Sequence, residues 1–276
     1  MVNIIVFNGG LGNQMFQYAL FLSLKKRCPS LYLFDITYSQ HCHNGFELFD
    51  IFKINEKFRI HIFHYFRRII KKHSNFFCKI QQKESLRFEP ELFSNMGLFN
   101  IIEGFWQSEK YFSIIKDEII KKFHFRTNRL NPKTINYASK LEKEQFCSIH
   151  IRRGDYLENA ERSLHSDDYY FRSMSYIIKK IPEIRFCVFS DDIDYCKANI
   201  TPPHCVCEYV DWNKKGESWQ DMFLMSKCHH NIIANSSFSW WGAMLNQNSD
   251  KIVIAPNIWF QNRENFDIIP EKWIKL

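Results

Sequence analysis

Val2-Asn3-Ile4-Ile5-Val6-Phe7-Asn8-Gly9-Gly10-Leu11-Gly12-Asn13-Gln14-Met15-Phe16-Gln17-Tyr18-Ala19-Leu20 opens the chain and decides its fold class. Val2 to Phe7 is an apolar run of strand length, and Asn8 to Gly12 is a glycine turn. From Asn13 the apolar positions Met15, Phe16, Ala19, Leu20 and Leu24 keep helical spacing until Pro29 stops them. Leu31 to Phe34 reads as a second strand, ending in Asp35. Strand, glycine turn, helix and strand make a βαβ unit, which places the two strands parallel. Farther along, strands are expected at 146–151, 184–189, 206–210, 231–234 and 251–255, with helices at 169–180, 218–228 and 237–247. This alternation predicts an α/β protein with parallel sheets covered on both faces. The expected division is 1–140 and 141–276, with the boundary near residue 140, after Asn131-Pro132. In such sheets ligands sit at the carboxyl ends of strands, so the residues that follow strands carry the functional argument.

A chain of 276 residues with 45% hydrophobic and 24% charged residues, only nine Gly and eight Pro, is neither disordered nor fibrous. Its net charge of +7 suggests nucleic acid, but the charge is concentrated. Between Lys57 and Lys83 stand eight basic residues and no acidic one; removing those eight from the 37 Lys and Arg leaves 29 against 30 Asp and Glu. That segment suits a basic amphipathic helix at a membrane surface, or equally a solvated helix whose apolar face joins the core. The balance elsewhere argues against a nucleic-acid partner. No apolar run reaches the ~18 residues of a membrane span, and no charged block of a signal peptide precedes the first strand, so the expectation is a cytoplasmic chain with peripheral contact at the inner membrane face through 57–83. Nine cysteines in largely apolar contexts read as reduced thiols. The groups His41-Cys42-His43, His204 to Cys207 and Cys228-His229-His230 lack paired zinc-ligand spacing.

Four constellations follow strands. The turn Gly10-Leu11-Gly12-Asn13-Gln14-Met15 nearly matches the dinucleotide fingerprint, with Asp35 where a ribose-binding acid belongs, but Met15 replaces the third glycine. It still offers a close backbone approach and a helix N-terminus to a phosphate or a sugar. In His150-Ile151-Arg152-Arg153-Gly154-Asp155, two cations end a strand; one arginine suits a diphosphate clamp and the other a pair with Asp155. Ser190-Asp191-Asp192-Ile193-Asp194 contains D-x-D, read as helix capping by Ser190 or Asp191 plus recognition of a ligand such as guanine, ahead of a metal site. Asn235-Ser236-Ser237-Phe238-Ser239-Trp240-Trp241-Gly242 opens a helix, with serine hydroxyls and free N–H groups for an anion and with both tryptophans in the core in the structural reading.

These pieces in this order resemble the bacterial α-1,2-fucosyltransferases, the GDP-fucose-dependent glycosyltransferases of family 11. The resemblance runs from Gly9 to Ala19 through Gly45-Phe46-Glu47-Leu48, His150 to Tyr156 and Phe189 to Asp192, and ends in Asp221 to Leu245. It implies a GT-B fold, two facing Rossmann-like domains, with GDP-fucose held by the C-terminal domain and the acceptor nearer the N-terminal one. It implies an inverting, metal-independent transfer of L-fucose from GDP-β-L-fucose to the 2-hydroxyl of a terminal galactose, in surface polysaccharide or O-antigen synthesis. Arg152, Asp155 and Asn13 are then the candidate catalytic residues. His150, Arg153, Gly10, Gly12, Gln14, Asp191, Asp192, Asn235, Ser236, Ser237 and Phe238 are the candidate donor contacts, and Glu47 and Asp35 the acceptor-side carboxylates. No cofactor or metal is expected. A fucosyltransferase of other linkage or acceptor, an NAD-dependent oxidoreductase and a non-catalytic binding module are the alternatives.

Overall fold

The computed structural model describes residues 1–55, 78–83, 86–94, 96–154, 167–201, 205–261 and 267–276. The basic stretch 57–77 and the candidate Asp155 lie outside the described residues. The chain divides into two compact units, Met1–Arg126 with Phe266–Ile268, and Thr127–Asn265 with Ile269–Leu276. The division therefore falls ahead of residue 140. The reason is the helix Pro132–Lys143, whose N-cap Asn131 bonds Asn213 and Gln220 of the second unit at 2.9 Å each.

The first unit holds a parallel sheet of strands β1 (Val2–Val6), β2 (Leu31–Asp35), β3 (Cys78–Gln81) and β4 (Phe99–Glu103), in the order β2-β1-β4-β3. The helix between β1 and β2 begins at Leu11, two residues earlier than its apolar spacing suggests, because Gly10 serves as its N-cap. Nearly every residue from Leu11 to Leu24 is buried, as befits a helix apolar on all sides. Its exposed last turn, Lys25-Lys26-Arg27, complements the negative end of the helix dipole. Phenylalanines fill the space beside the sheet: Phe34 packs edge-on against Phe7 and Phe21 with ring centroids 5.3 and 4.9 Å apart.

The second unit holds the parallel strands β5 (Phe146–Ile151), β6 (Arg185–Ser190), β7 (Cys207–Val210), β8 (His230–Ile232), β9 (Val253–Ala255) and β10 (Ile274–Lys275), in the order β10-β9-β8-β5-β6-β7. β5 is buried along its whole length, as a central parallel strand covered on both faces must be. In each sheet the strand order reverses once beside the first strand: between β1 and β4 in one, between β5 and β8 in the other. A crevice opens at the carboxyl ends where connections leave in opposite directions, which is where open α/β sheets hold ligands. All nine cysteines are unpaired. Among the described residues no helix is long and apolar enough to cross a membrane.

Candidate active site

In the first unit the reversal point is lined by the loops after β1 and β4. Gly9 has φ +81°, and a Cβ there would lie 2.4 Å from Asn13 Nδ2, so only glycine suits both the conformation and the space. Gly10 is equally constrained by space, since its Cβ would lie 2.9 Å from the His43 ring. Gly12 is buried in the first helical turn. Asn13 is half-buried, and its Oδ1 accepts from Gln107 Nε2 at 2.7 Å. No described residue accepts from its Nδ2. Gln17 ties the two loops together, donating to Gly104 O at 2.9 Å and accepting from Asn8 N at 3.1 Å.

Gln14 spends its amide on the protein. Its fully buried amide donates to Gly9 O (3.0 Å) and Gly45 O (2.9 Å) and accepts from Glu47 N (3.0 Å) and Leu48 N (3.3 Å). A glutamine amide has two donor hydrogens and two acceptor lone pairs, so this one is saturated. It fastens the loop carrying His43 and Glu47 onto the glycine turn. Glu47 is half-buried, and burial pushes its carboxyl up to about 7, against a lowering hydrogen bond from Asn44. Asp35 is buried, and its Oδ1 accepts from Thr37 N at 3.0 Å and Thr37 Oγ1 at 2.6 Å, closing the turn after β2.

In the second unit, β5 ends at Ile151 and delivers both arginines into the following loop. Arg152 pairs with Asp191 Oδ2 at 3.2 Å, and Arg153 with Asp192 Oδ2 at 3.2 Å. Asp191 Oδ1 also accepts from Arg153 N at 2.9 Å, and the Arg153 guanidinium lies 3.2 Å over the Tyr195 ring. A Cβ on Gly154 would sit 2.7 Å from Asp191 Oδ2, so the bare Cα is what admits that carboxylate. The cap of the helix Ile193–Asn199 is Asp192, accepting from Tyr195 N at 3.2 Å, whereas the sequence pointed to Ser190 or Asp191. Asp191 and Asp192 thus have every oxygen engaged in holding the two arginines and the helix start. The physical reason is proximity: β6 lies beside β5, so acids after one strand meet cations after the other.

On the other side of β5 stands β8 and the helix start that follows it. Ser236 caps the helix Ser237–Leu245, its Oγ accepting from Phe238 N at 3.3 Å. Ser237 and Phe238 are half-buried. Asn235 is buried and donates to Trp259 O at 3.0 Å, and Trp240 and Trp241 are wholly buried, so the tryptophans belong to the core and not to a stacking surface. His150, near the end of β5, lies beside this helix start, its ring 5.8 Å from that of Phe238. It is 6% exposed, its Nδ1 meets no partner among the described residues, and burial, assisted by the Arg152 charge, pushes its pKa down to about 3. It is a neutral imidazole at any physiological pH.

The structure therefore brings His150, Arg152, Arg153, Asp191, Asp192, Ser236, Ser237 and Phe238 to one reversal point, and Gly10, Asn13, Gln14 and Glu47 to the other. Reading the sequence alone overlooked Gln107, Gln82 and Tyr195. Gln82 Oε1 accepts from Phe105 N (2.9 Å) and Trp106 N (2.8 Å), holding a turn in which Gly104 has φ +157° and Trp106 φ +55°. The apolar run Phe99 to Ile102 followed by Gly104 repeats the strand-then-glycine signal of the first turn and marks this loop in retrospect.

The family model for glycosyl transferase family 11 matches residues 1–276. The chain is 36% identical to an α-1,2-colitosyltransferase of Escherichia coli, with 97% of this chain and 96% of the other aligned, and 31% identical to the O-antigen biosynthesis glycosyltransferase WbnK of Escherichia coli, with 98% of each aligned. Among solved structures it superposes on the NodZ α-1,6-fucosyltransferase soaked with GDP-fucose with TM-score 0.51 at 13% identity, covering 88% of this chain and 92% of that one. That likeness is one of fold, the GT-B type. Membership of a transferase family leaves the oxidoreductase alternative without support, in keeping with Met15 packed fully inside the core where a dinucleotide turn has glycine. The chain belongs to glycosyltransferase family 11.

Proposed function

We propose that the protein moves L-fucose from GDP-β-L-fucose to the 2-hydroxyl of a terminal galactose, with inversion and without a metal, in bacterial glycan synthesis. The observation that carries this reading is Arg152, half-buried at the carboxyl end of β5, braced by Asp191 and flanked across the reversal point by the Ser236-capped helix start. A braced guanidinium near the positive end of a helix dipole is a preorganised site for the charge that grows on a leaving diphosphate. The acceptor oxygen attacks the anomeric carbon opposite the departing GDP, in a transition state of oxocarbenium character, and electrostatic stabilisation of the leaving group lowers the barrier. Arg153, committed to Asp192 and Tyr195, holds Arg152's loop. His150, neutral and with Nδ1 unspent, is the polar group set to accept or donate one hydrogen bond to the nucleotide.

On the N-terminal unit, Glu47 is the carboxyl suited to receive the acceptor's proton, because a base works best with a pKa near the operating pH. Asn13 Nδ2, turned toward the glycine turn, is the adjacent amide donor for a sugar hydroxyl. The α-1,2 linkage is supported by the similarity to an α-1,2-colitosyltransferase. That relative also favours a second reading, in which the transferred sugar is colitose, chemically L-fucose without its 3-hydroxyl.

The test incubates the protein in EDTA with GDP-fucose or GDP-colitose, with and without lactose, and measures released GDP and the linkage formed. Lactose-stimulated GDP release from GDP-fucose, with fucose on the galactose 2-hydroxyl, is the expected result. Preference for GDP-colitose moves the assignment to the second reading, and transfer that requires a divalent cation overturns the metal-free mechanism.

A further inference from the structure

Trp106, in the loop after β4, takes φ +55°, which a bulky side chain adopts only at a cost in backbone energy. Its surroundings impose that conformation. Gln82 Oε1 accepts from both Phe105 N and Trp106 N, Gln17 donates to Gly104 O, and Ser108 N closes back on Trp106 O at 2.8 Å. The Trp106 ring is 1% exposed and stands edge-on to Tyr111, with centroids 5.4 Å apart. What this strained turn delivers is the next side chain. Gln107 is 7% exposed, and its Nε2 donates to Asn13 Oδ1 at 2.7 Å. Because β4 lies beside β1, the two loops meet at the reversal point of the first sheet. The loop's backbone is already fastened by Gln82 and Gln17, so the Gln107 amide is not needed to hold it.

An asparagine amide carries a donor NH2 and an acceptor oxygen on either side of one rotatable bond. Asn13, in the first turn of the helix Leu11–Arg27, could by itself present either one to a ligand. A donor placed on its oxygen decides between them. With Oδ1 taken by Gln107, Nδ2 is left on the side of the glycine turn, where a Cβ on Gly9 would come within 2.4 Å of it. We propose that Gln107 is a positioning residue, which fixes the Asn13 amide so that its N–H groups, and not its oxygen, face a substrate at the glycine turn. The strained turn at Trp106 is what places Gln107 there. This inference rests on the reading above in which Asn13 donates to a sugar hydroxyl.

Substitutions at 107 separate positioning from packing. Gln107→Met keeps the volume and leaves the Asn13 amide free to turn, whereas an ionised Gln107→Glu can only accept and turns that amide over. The assay is steady-state transfer to lactose from GDP-fucose, or from GDP-colitose if that is the donor used, with melting curves to exclude unfolding. Gln107→Met should lower kcat/KM about threefold, and Gln107→Glu as much as Asn13→Ala, about 10–100-fold, the worth of one hydrogen bond to substrate. All three variants should share one division of the loss between kcat and KM. Relative to wild type at the same pH, the Gln107→Glu loss should deepen as pH rises, since a protonated carboxyl still donates and an ionised one does not. In an Asn13→Ala background both changes at 107 should cost less than about twofold, because a residue that acts through Asn13 then has nothing to act on. Wild-type kinetics in both 107 variants, with Asn13→Ala impaired, overturns this inference and leaves the Asn13 assignment standing. Losses at 107 that persist in full in the Asn13→Ala background overturn it too. Wild-type kinetics in Asn13→Ala overturns both.

Discussion

At the residue scale, the arginines of one motif have separate tasks. Arg153 is tied by its side chain to Asp192 and Tyr195 and by its backbone to Asp191, whereas the Arg152 guanidinium is braced by Asp191 at the carboxyl end of β5. Arg152→Ala should therefore lower kcat/KM about 10²–10³-fold with little change in Tm, as removal of one preorganised transition-state contact does, and Arg152→Lys should recover only part of it because an ammonium lacks the planar fork. Steady-state kinetics beside a melting curve separates this from unfolding. His150 makes a prediction about acid stability. Its folded pKa of about 3 lies below the unfolded value near 6.5, so the unfolded chain gains a proton first and stability falls as pH drops from about 6.5 toward 3. The effect amounts to a few kcal/mol at most, and denaturant titrations of His150→Gln should show a flatter dependence over that window. Glu47 has the opposite sense in the alkaline direction. A carboxyl raised to about 7 contributes stability that is present below about 4.5 and lost as pH rises through 7, so Glu47→Gln should stabilise the fold at pH 8 by about 1 kcal/mol and by almost nothing at pH 4, once solvent screening of a half-buried group is allowed for.

At the scale of elements, the first helix is a scaffold for three loops. Gln14 and Gln17, one turn apart, spend their amides on the backbone of the turns after β1 and β4 and on the loop at Gly45. Gln14→Ala leaves buried backbone donors and acceptors without partners, which should cost about 2–4 kcal/mol and lower Tm by roughly 5–15 °C. Differential scanning calorimetry reads this directly, and activity should fall with it because the Glu47 loop loses its anchor. Gly154 illustrates how an element's end is shaped by its neighbour: the loop after β5 approaches the acids after β6 so closely that a methyl group would meet Asp191. The adjacent strand supplies the carboxylates that the sequence placed merely next in line.

At the scale of the whole molecule, the two units reach the same solution separately. Each is a parallel sheet whose strand order reverses beside its first strand, and each puts its chemistry-bearing loops at that reversal. If GDP is held by the second unit alone, hydrogen exchange with and without GDP should slow at residues 150–154 and 235–239 and stay unchanged at 8–14. Protection spread over both stretches would instead place nucleotide contacts on the N-terminal turn.

Much of this was legible beforehand because it depends on local order. A buried strand followed by glycine and an apolar helix has one economical geometry, so the βαβ opening, the second sheet's alternation and the four post-strand motifs could be read from residue type and spacing. The same holds for Trp240 and Trp241, whose size sends them inward. What spacing cannot carry is which distant group each polar side chain meets. Gln14 and Asp191 look like ligand contacts in the chain, and in the structure the Gln14 amide is saturated by protein and both Asp191 oxygens are engaged by it, through partners 31 to 39 positions away. Gln107 reaches Asn13 across 94 positions. β3 and β4 escaped notice because one is short and exposed at three of its four residues and the other is interrupted by Asn100, whose amide finds Asn3 Oδ1 at 2.7 Å only once the sheet has formed. The sequence determined the elements and the chemistry of their ends. Tertiary structure alone decided which of those polar groups are spent on the fold and which remain for a substrate, since hydrogen-bond saturation belongs to neighbours in space and not to neighbours in the chain.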